Sequence, residues 1–192
     1  MKKVLFILFF ATLSLGSYAQ KGMQGVGLSV DPGVINCYFE ETYPITTLKY
    51  QYYIHDNIRV VPSLMMGVSD WGEFDKPQGF NINPYIKADV FLTPISKFRV
   101  YASAGIGYAY VYVDDEYYEN IGRFEYKKDG NYYSLLLGIG VEWRVAYNWT
   151  IQLSGNFDGL AGTYTYKRGS HDYIGDYIGF GGHLSLGFVY NF

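Results

Sequence analysis

Disulfides are excluded at once: the 192 residues include one cysteine, Cys37. A lone thiol in a secreted chain implies a fold that needs no disulfide staple, and Cys37 reads as a thiol without a role. An excess of basic residues is also missing, with 15 Lys and Arg against 18 Asp and Glu. A nucleic-acid partner would therefore find no electrostatic footprint. Beyond the first fifteen residues there is no apolar run long enough for a membrane-spanning helix.

What is present begins at the N-terminus. Met1, Lys2 and Lys3 form a basic n-region, Val4 to Leu15 an apolar h-region, and Ser17-Tyr18-Ala19 places small residues where signal peptidase requires them. Residues 1–19 are expected to be a secretory signal peptide, and 20–192 a single mature domain. No cysteine stands at the cleavage point, so a lipoprotein anchor is not indicated. Loss of Lys2 and Lys3 leaves the mature chain more acidic still.

Aromatics make up 20% of the residues and glycine occupies 23 positions. Backbone polar groups in hydrocarbon are satisfied only by a helix or by a sheet closed on itself, and the period-two pattern here selects the sheet. Alternating segments fall near residues 23–31, 45–54, 58–68, 81–92, 99–113, 132–145, 149–163 and 179–192. The connections 55–57, 93–98 and 146–148 are tight, whereas 32–44, 69–80, 114–131 and 164–178 are long. The expected fold is all-β: an eight-stranded antiparallel up-and-down transmembrane β-barrel. Its short turns and both termini belong on the periplasmic side and its long loops outside.

Sidedness follows from the alternation. In the sixth segment Leu135, Leu137, Ile139, Val141, Trp143 and Val145 form one face, against Ser134, Gly138, Gly140, Glu142 and Arg144. In the fourth, Ile82, Ile86, Ala88, Val90 and Leu92 oppose Asn81, Asn83, Lys87 and Asp89. Aromatics gather at segment ends: Tyr52, Trp143, Trp149, Tyr190 and Phe192 at one rim, Tyr108, Tyr110, Tyr112, Tyr133 and Phe180 at the other. Rings with a polar tip suit headgroup depth.

The last segment carries a polar-x-Gly-x-x-aromatic-x-aromatic ending in Ser185, Gly187, Tyr190 and Phe192. With the leader and the eight alternating segments, this ending resembles the small outer-membrane β-barrel proteins, the OmpA-type and adhesin-like barrels without a periplasmic domain. The resemblance covers nearly the whole mature chain. It implies a location in a Gram-negative outer membrane, contact with outer-membrane lipid and lipopolysaccharide, and a barrel-assembly machinery that reads the closing pattern during biogenesis. A monomer without a cofactor or a cell-wall tether is expected.

The inward set Lys49, Arg59, Lys87, Asp89, Glu142, Arg144 and Asp158 mixes both signs in a lumen too narrow for a wide channel. Charges persist there when paired and hydrogen-bonded, so they are expected to form a core network. Inward Gly105, Gly107, Gly138 and Gly140 would give longer side chains room. The pairs Gly105-Ile106-Gly107 and Gly138-Ile139-Gly140 lack the following helix and third glycine of a nucleotide loop. Ser170-His171-Asp172 supplies relay residue types, but contiguous residues do not converge as a relay demands, and the run reads as a loop tip. Asp114-Asp115-Glu116 reads as a solvated loop, with a divalent cation bridging lipopolysaccharide phosphates as the alternative and no metal site assigned. Pro62 and Pro84 each delete a ladder donor on an outward face. They read as bulges or kinks near a rim, and they also keep open an outer-membrane acyltransferase or deacylase admitting acyl chains sideways. The long loops hold Tyr117, Tyr118, Tyr126, Tyr164, Tyr166, Tyr173 and Tyr177, a composition that suits contact surfaces and an extracellular protein partner, and strands running past the membrane as a tyrosine-rich ribbon account for the same residues. Three functions remain in view: surface interaction through the loops, lipid modification, and a narrow pore.

Overall fold

The computed structural model describes residues 20–31, 34–35, 45–68, 78–119, 122–168 and 171–192. The expected leader, Cys37 and Ser170 lie outside the described residues. Eight strands form the wall: β1 (Gln24–Asp31), β2 (Ile45–His55), β3 (Ile58–Val68), β4 (Gln78–Phe91), β5 (Phe98–Glu119), β6 (Gly122–Arg144), β7 (Trp149–Arg168) and β8 (His171–Asn191). Each pairs antiparallel with the next. The ring closes where β1 meets β8 in the register Gly25–Asn191 to Val30–Leu186. The two-residue segment Val34–Ile35 continues along β8, opposite His183 and Gly182. Closure leaves no edge in the wall, which is what permits a sheet to cross lipid.

Three tight turns, Gln20 and Phe192 share one end of the barrel, here the turn end; the opposite end carries the long hairpins. At the turn end the chain enters through Gly22, whose φ of 84° is the left-handed conformation glycine tolerates best. That bend lets the Gly22 amide donate to the Tyr53 carbonyl at 2.8 Å and tucks Gln20 beneath the lumen.

The outward face is apolar over the middle of every strand. Leu48, Ile86, Ile106, Leu137, Ile139, Leu153, Leu184 and Phe188 are all exposed on the outside of the ring. A continuous apolar surface of this kind belongs in lipid rather than water. Trp143, Trp149, Tyr190 and Phe192 line its lower margin, with Trp149 and Tyr190 edge-to-face at 5.2 Å. Tyr108 and Tyr133 meet edge-to-face at 5.8 Å at the upper margin.

One expectation needs correction. Residues 114–131 and 164–178 are strand for most of their length, because β5 and β6 stay paired out to Glu119–Gly122 and β7 and β8 out to Arg168–His171. The Tyr, Thr and Val content of these stretches suits an extended ladder. Asp114-Asp115-Glu116 is therefore on β5, not in a loop. The prolines, read as bulges or kinks, lie at interruptions of two different seams. Pairing of β2 with β3 steps from Lys49–Ser63 to Tyr52–Val60, passing Pro62, and pairing of β4 with β5 steps from Ile82–Tyr110 to Tyr85–Gly107, passing Pro84. Between them β3 and β4 pair without a break. Inside the two interruptions Gln51, Val61, Asn83 and Ala109 are all buried, so the wall is backed by side chains there.

Candidate functional site

The inner face is built in layers. At the turn end Arg59, 1% exposed, reaches from β3 into the lumen. Its Nε lies 2.6 Å from Asp89 Oδ2 on β4, and its Nη1 lies 2.5 Å from Glu142 Oε2 on β6. Nη1 also donates to the Tyr53 hydroxyl at 3.0 Å. One guanidinium thus ties three strands and a tyrosine together, using the planar donor fork that lysine lacks. Asp89 is completed by Ser103 Oγ, which donates at 2.6 Å, and by Lys87 Nζ at 3.4 Å. Aromatic rings wall the cation in: its Cζ lies 4.8 Å from the Tyr101 centroid and 4.9 Å from that of Phe91. Tyr53 and Phe91 stack at 5.9 Å. The Tyr101 ring lies over Gly140 on the facing strand, where a Cβ would come within 2.5 Å of it, so glycine there makes the seat for the ring.

Below this layer a second buried cation plugs the turn end. Arg99 sits with Cζ 3.6 Å from the Phe91 centroid, and its Nη2 donates to the Asp56 carbonyl at 2.9 Å and to Asn57 Oδ1 at 3.0 Å. Nη1 donates to Gln20 Oε1. Asp56 in turn accepts the amides of Gln20 and Lys21 at 2.8 and 3.0 Å. Those two donors hold the Asp56 carboxyl below its ordinary pKa.

Lys49 Nζ donates to Gln152 Oε1 at 2.8 Å, and Gln51, Gln152, Asn191 and Thr150 continue the hydrogen bonding along β2, β7 and β8 toward the turn end. Gly105 lies beneath Lys87 and Gly107 beside Tyr85, positions with no room for a Cβ. A separate cluster stands higher: His183 Nδ1 lies 3.0 Å from Asp158 Oδ2, and its Nε2 lies 3.8 Å from Asp31 Oδ2. Above that stands an apolar cluster, with buried Asn81, Asn83 and Ser134 at the same level. Ile45, Met65, Ala109, Val111, Tyr132 and Leu160 pack together, with Tyr85, Tyr164 and Tyr177 against them, and Tyr132 meets Tyr177 edge-to-face at 5.5 Å.

Of the seven charges expected inside, Lys49, Arg59, Lys87, Asp89 and Glu142 gather in the lower and middle lumen. Asp158 belongs to the His183 cluster. Arg144 lies at the turn end, half-buried, with Nη2 3.6 Å from Met23 Sδ. Glu142 is drawn across the lumen to Arg59, since residues two apart on one strand stand side by side while a long arginine can span a narrow ring. Sequence reasoning missed Arg99, Tyr53, Phe91, Tyr101 and Asp31, and it missed the apolar upper cluster. Arg99, Tyr53, Phe91 and Tyr101 share inward parity with residues already assigned, so strict alternation would have found them; Asp31 lies on β1, where no inward residue was assigned. At the closing pattern, Ser185 and Gly187 are buried on the inner face, and Tyr190 and Phe192 point outward at the lower margin.

His183 has carboxylates in reach, but the imidazole and both acids are buried in the lumen under the apolar layer. His171, at a hairpin tip, packs edge-on against Tyr173 with centroids 6.5 Å apart. Among the described residues no His, Cys, Asp and Glu set is arranged to hold a metal ion.

No protein-family model matches the chain, and no curated protein does. Solved structures do. Neisserial surface protein A aligns at a TM-score of 0.63 with 12% identity, over 92% of this chain and 100% of its own. A major outer-membrane protein of Thermus thermophilus aligns at 0.62 with 12% identity, over 88% and 99%. Ail, the attachment invasion locus protein of Yersinia pestis, aligns at 0.53 with 16% identity, over 90% and 99%. At such identities the likeness is one of fold. The closed eight-stranded ring, its apolar belt and these neighbours define an outer-membrane β-barrel protein.

Proposed function

We propose that this barrel is a non-enzymatic surface protein whose turn end faces the periplasm and whose long hairpins contact molecules outside the cell. The observation that carries the reading is the continuation of β5–β6 and β7–β8 as paired ribbons well beyond the aromatic margin, out to Glu119–Gly122 and Arg168–His171. Paired ribbons present side chains in a fixed array, with Tyr173 and Ile174 exposed near one tip. Rigid amphipathic tyrosine surface loses little entropy on binding, which suits recognition. The filled lumen supports the same reading: Arg59, Arg99, Tyr53 and Tyr101 cross it at the turn end, all at 1% exposure or less, which argues against conduction.

The test is chemical cross-linking in native outer membrane. The intact protein is compared with a variant in which residues 114–127 are replaced by a two-residue turn joining Val113 to Lys128, a cross-strand pair. The shortened protein should keep its heat-modifiable folded band and lose a specific cross-linked partner; an unchanged partner set would count against hairpin-mediated contact. Orientation is read from a membrane-impermeant maleimide on intact cells, with Cys37 replaced by serine. Asp172→Cys should label and Tyr147→Cys should not.

A further inference from the structure

Beneath the lumen, at the β2–β3 turn, the Gln20 nitrogen lies 2.8 Å from Asp56 Oδ1, and the Lys21 nitrogen lies 3.0 Å from the same oxygen. We propose that the chain is cut at the Ala19–Gln20 bond and that the α-ammonium so created pairs with the Asp56 carboxylate, completing the plug at the turn end.

Two independent observations meet at this bond. The sequence sets small residues, Ser17 and Ala19, where a signal peptidase requires them, and so singles out Gln20 as the first residue of the processed chain. The fold holds that same residue in place. Gln20 is 1% exposed, an uncommon setting for a polar side chain, and its Oε1 accepts from Arg99 Nη1. Its carbonyl accepts the Met23 amide at 2.9 Å, which closes a turn, and the Gly22 amide and Met23 carbonyl bond Tyr53 at 2.8 and 3.0 Å, which fixes that turn to β2. The Gln20 nitrogen is thus positioned by its own chain. Cleavage one residue further on would remove the buried side chain from the plug, and cleavage one residue earlier would move the charge off the nitrogen that Asp56 holds.

Hydrolysis changes what that nitrogen can do. Water adds to the Ala19 carbonyl carbon, the C–N bond breaks, and Ala19 leaves as a carboxylate while the freed Gln20 amine takes up the acid's proton, being charged at neutral pH. An amide offers one hydrogen; the ammonium offers three and a full charge. Charge-assisted hydrogen bonds are roughly twice as strong as neutral ones. Arg99 and His55 also act on Asp56, and Lys21 follows in the chain, so the Asp56 carboxylate is the group that offsets repulsion of a new cation there. Removal of the leader thereby adds a contact that the precursor cannot make.

The test begins with the intact mass of the protein recovered from the outer membrane after expression of the full-length precursor in a Gram-negative host. It should equal that of residues 20–192 with a free amine. Another first residue would overturn the proposal, and so would a mass lower by one ammonia, which would mean that the Gln20 side chain has cyclised onto the amine. The amine is then acetylated at limiting anhydride and pH 8, with the protein folded in detergent or unfolded in urea. The folded amine should react about tenfold more slowly, because a carboxylate that favours the charged form lowers the reactive neutral fraction by that order. Burial alone would also slow it, and Asp56→Asn separates the two. This variant keeps an oxygen acceptor without the charge and should restore most of the reactivity; an amine that stays slow would overturn the ion pair. A protein with one glycine added before Gln20 carries its ammonium elsewhere. Asp56→Asn should lower the urea midpoint of the processed chain more than that of the extended one, and equal losses would overturn the proposal.

Discussion

At the turn end the lumen is closed by Arg59, Arg99, Asp89 and Glu142; higher on the same ring it is closed by Ile45, Met65, Val111 and Leu160. Both fillings exclude water from a space of the same wall, yet they make different demands on it. A buried ion pair is favourable only when donors and acceptors meet at hydrogen-bond distance, because the desolvation of each charge must be offset. Hydrocarbon packing is non-directional and adapts to small shifts. The tight turns hold strand ends in fixed register, and there the chain places its guanidinium. Where the strands run on into long ribbons, it places side chains that tolerate movement.

The sharpest way to break that contrast is Arg59→Met. It leaves Asp89 and Glu142 buried without their shared cation, and removal of one partner from a buried ion network costs about 3–5 kcal/mol. The urea midpoint of the folded band on unheated gels should fall accordingly. The triple variant Arg59→Met, Asp89→Leu, Glu142→Leu should recover much of the loss, because no charge is then stranded. Failure to recover would mean that the network also determines register.

In the upper layer Leu160→Ala removes a fully buried aliphatic side chain packed in the Ile45, Met65 and Tyr132 cluster. Such truncations cost about 2–5 kcal/mol, with the low end where neighbours collapse into the gap. A loss at that low end is expected in the same urea assay, since Tyr164 and Tyr177 border the site and can shift. A loss larger than that of Arg59→Met would overturn the claim that the charged layer is the less forgiving one.

The contrast also explains what could be read from the residues in advance. Wall strands facing lipid on one side and a polar layer on the other alternate cleanly, so β3, β4 and the membrane portions of β6 and β7 were legible, down to the parity of Lys87, Asp89 and Glu142. Alternation assigns a face but not a partner. It put Glu142 and Arg144 on one inner face without revealing that Glu142 crosses to Arg59, because that choice depends on how far a side chain reaches across a ring. The upper layer was illegible for another reason. Ile45, Met65 and Leu160 are apolar on the inside, and a rule equating inside with polar has no place for them. The outer parts of β5 to β8 lack the apolar–polar alternation that makes a strand visible in a sequence, so they read as loops or, at most, as a protruding ribbon.

The smallest expected effect concerns the plug beneath the charged layer, and it sets a lower bound on how far the turn end depends on ionisation. Asp56 accepts the amides of Gln20 and Lys21 as a carboxylate, and these donors depress its pKa in the folded protein. A group whose pKa is lower folded than unfolded contributes stability above its unfolded value and loses it as pH falls through the folded one. The N-terminal tuck should therefore hold at neutral pH and loosen only below the ordinary aspartate range, near pH ~4 and under. Amide resonances of Gln20 and Lys21 in detergent-solubilised protein should move first on acidification, ahead of any change in the buried Arg59 layer. Asp56→Asn keeps an oxygen acceptor and should remove the pH dependence while leaving the tuck in place. Asp56→Ala should release it at every pH. Early movement of the Arg59 layer would show that the turn end titrates as one unit and that its plug and its network are not separable.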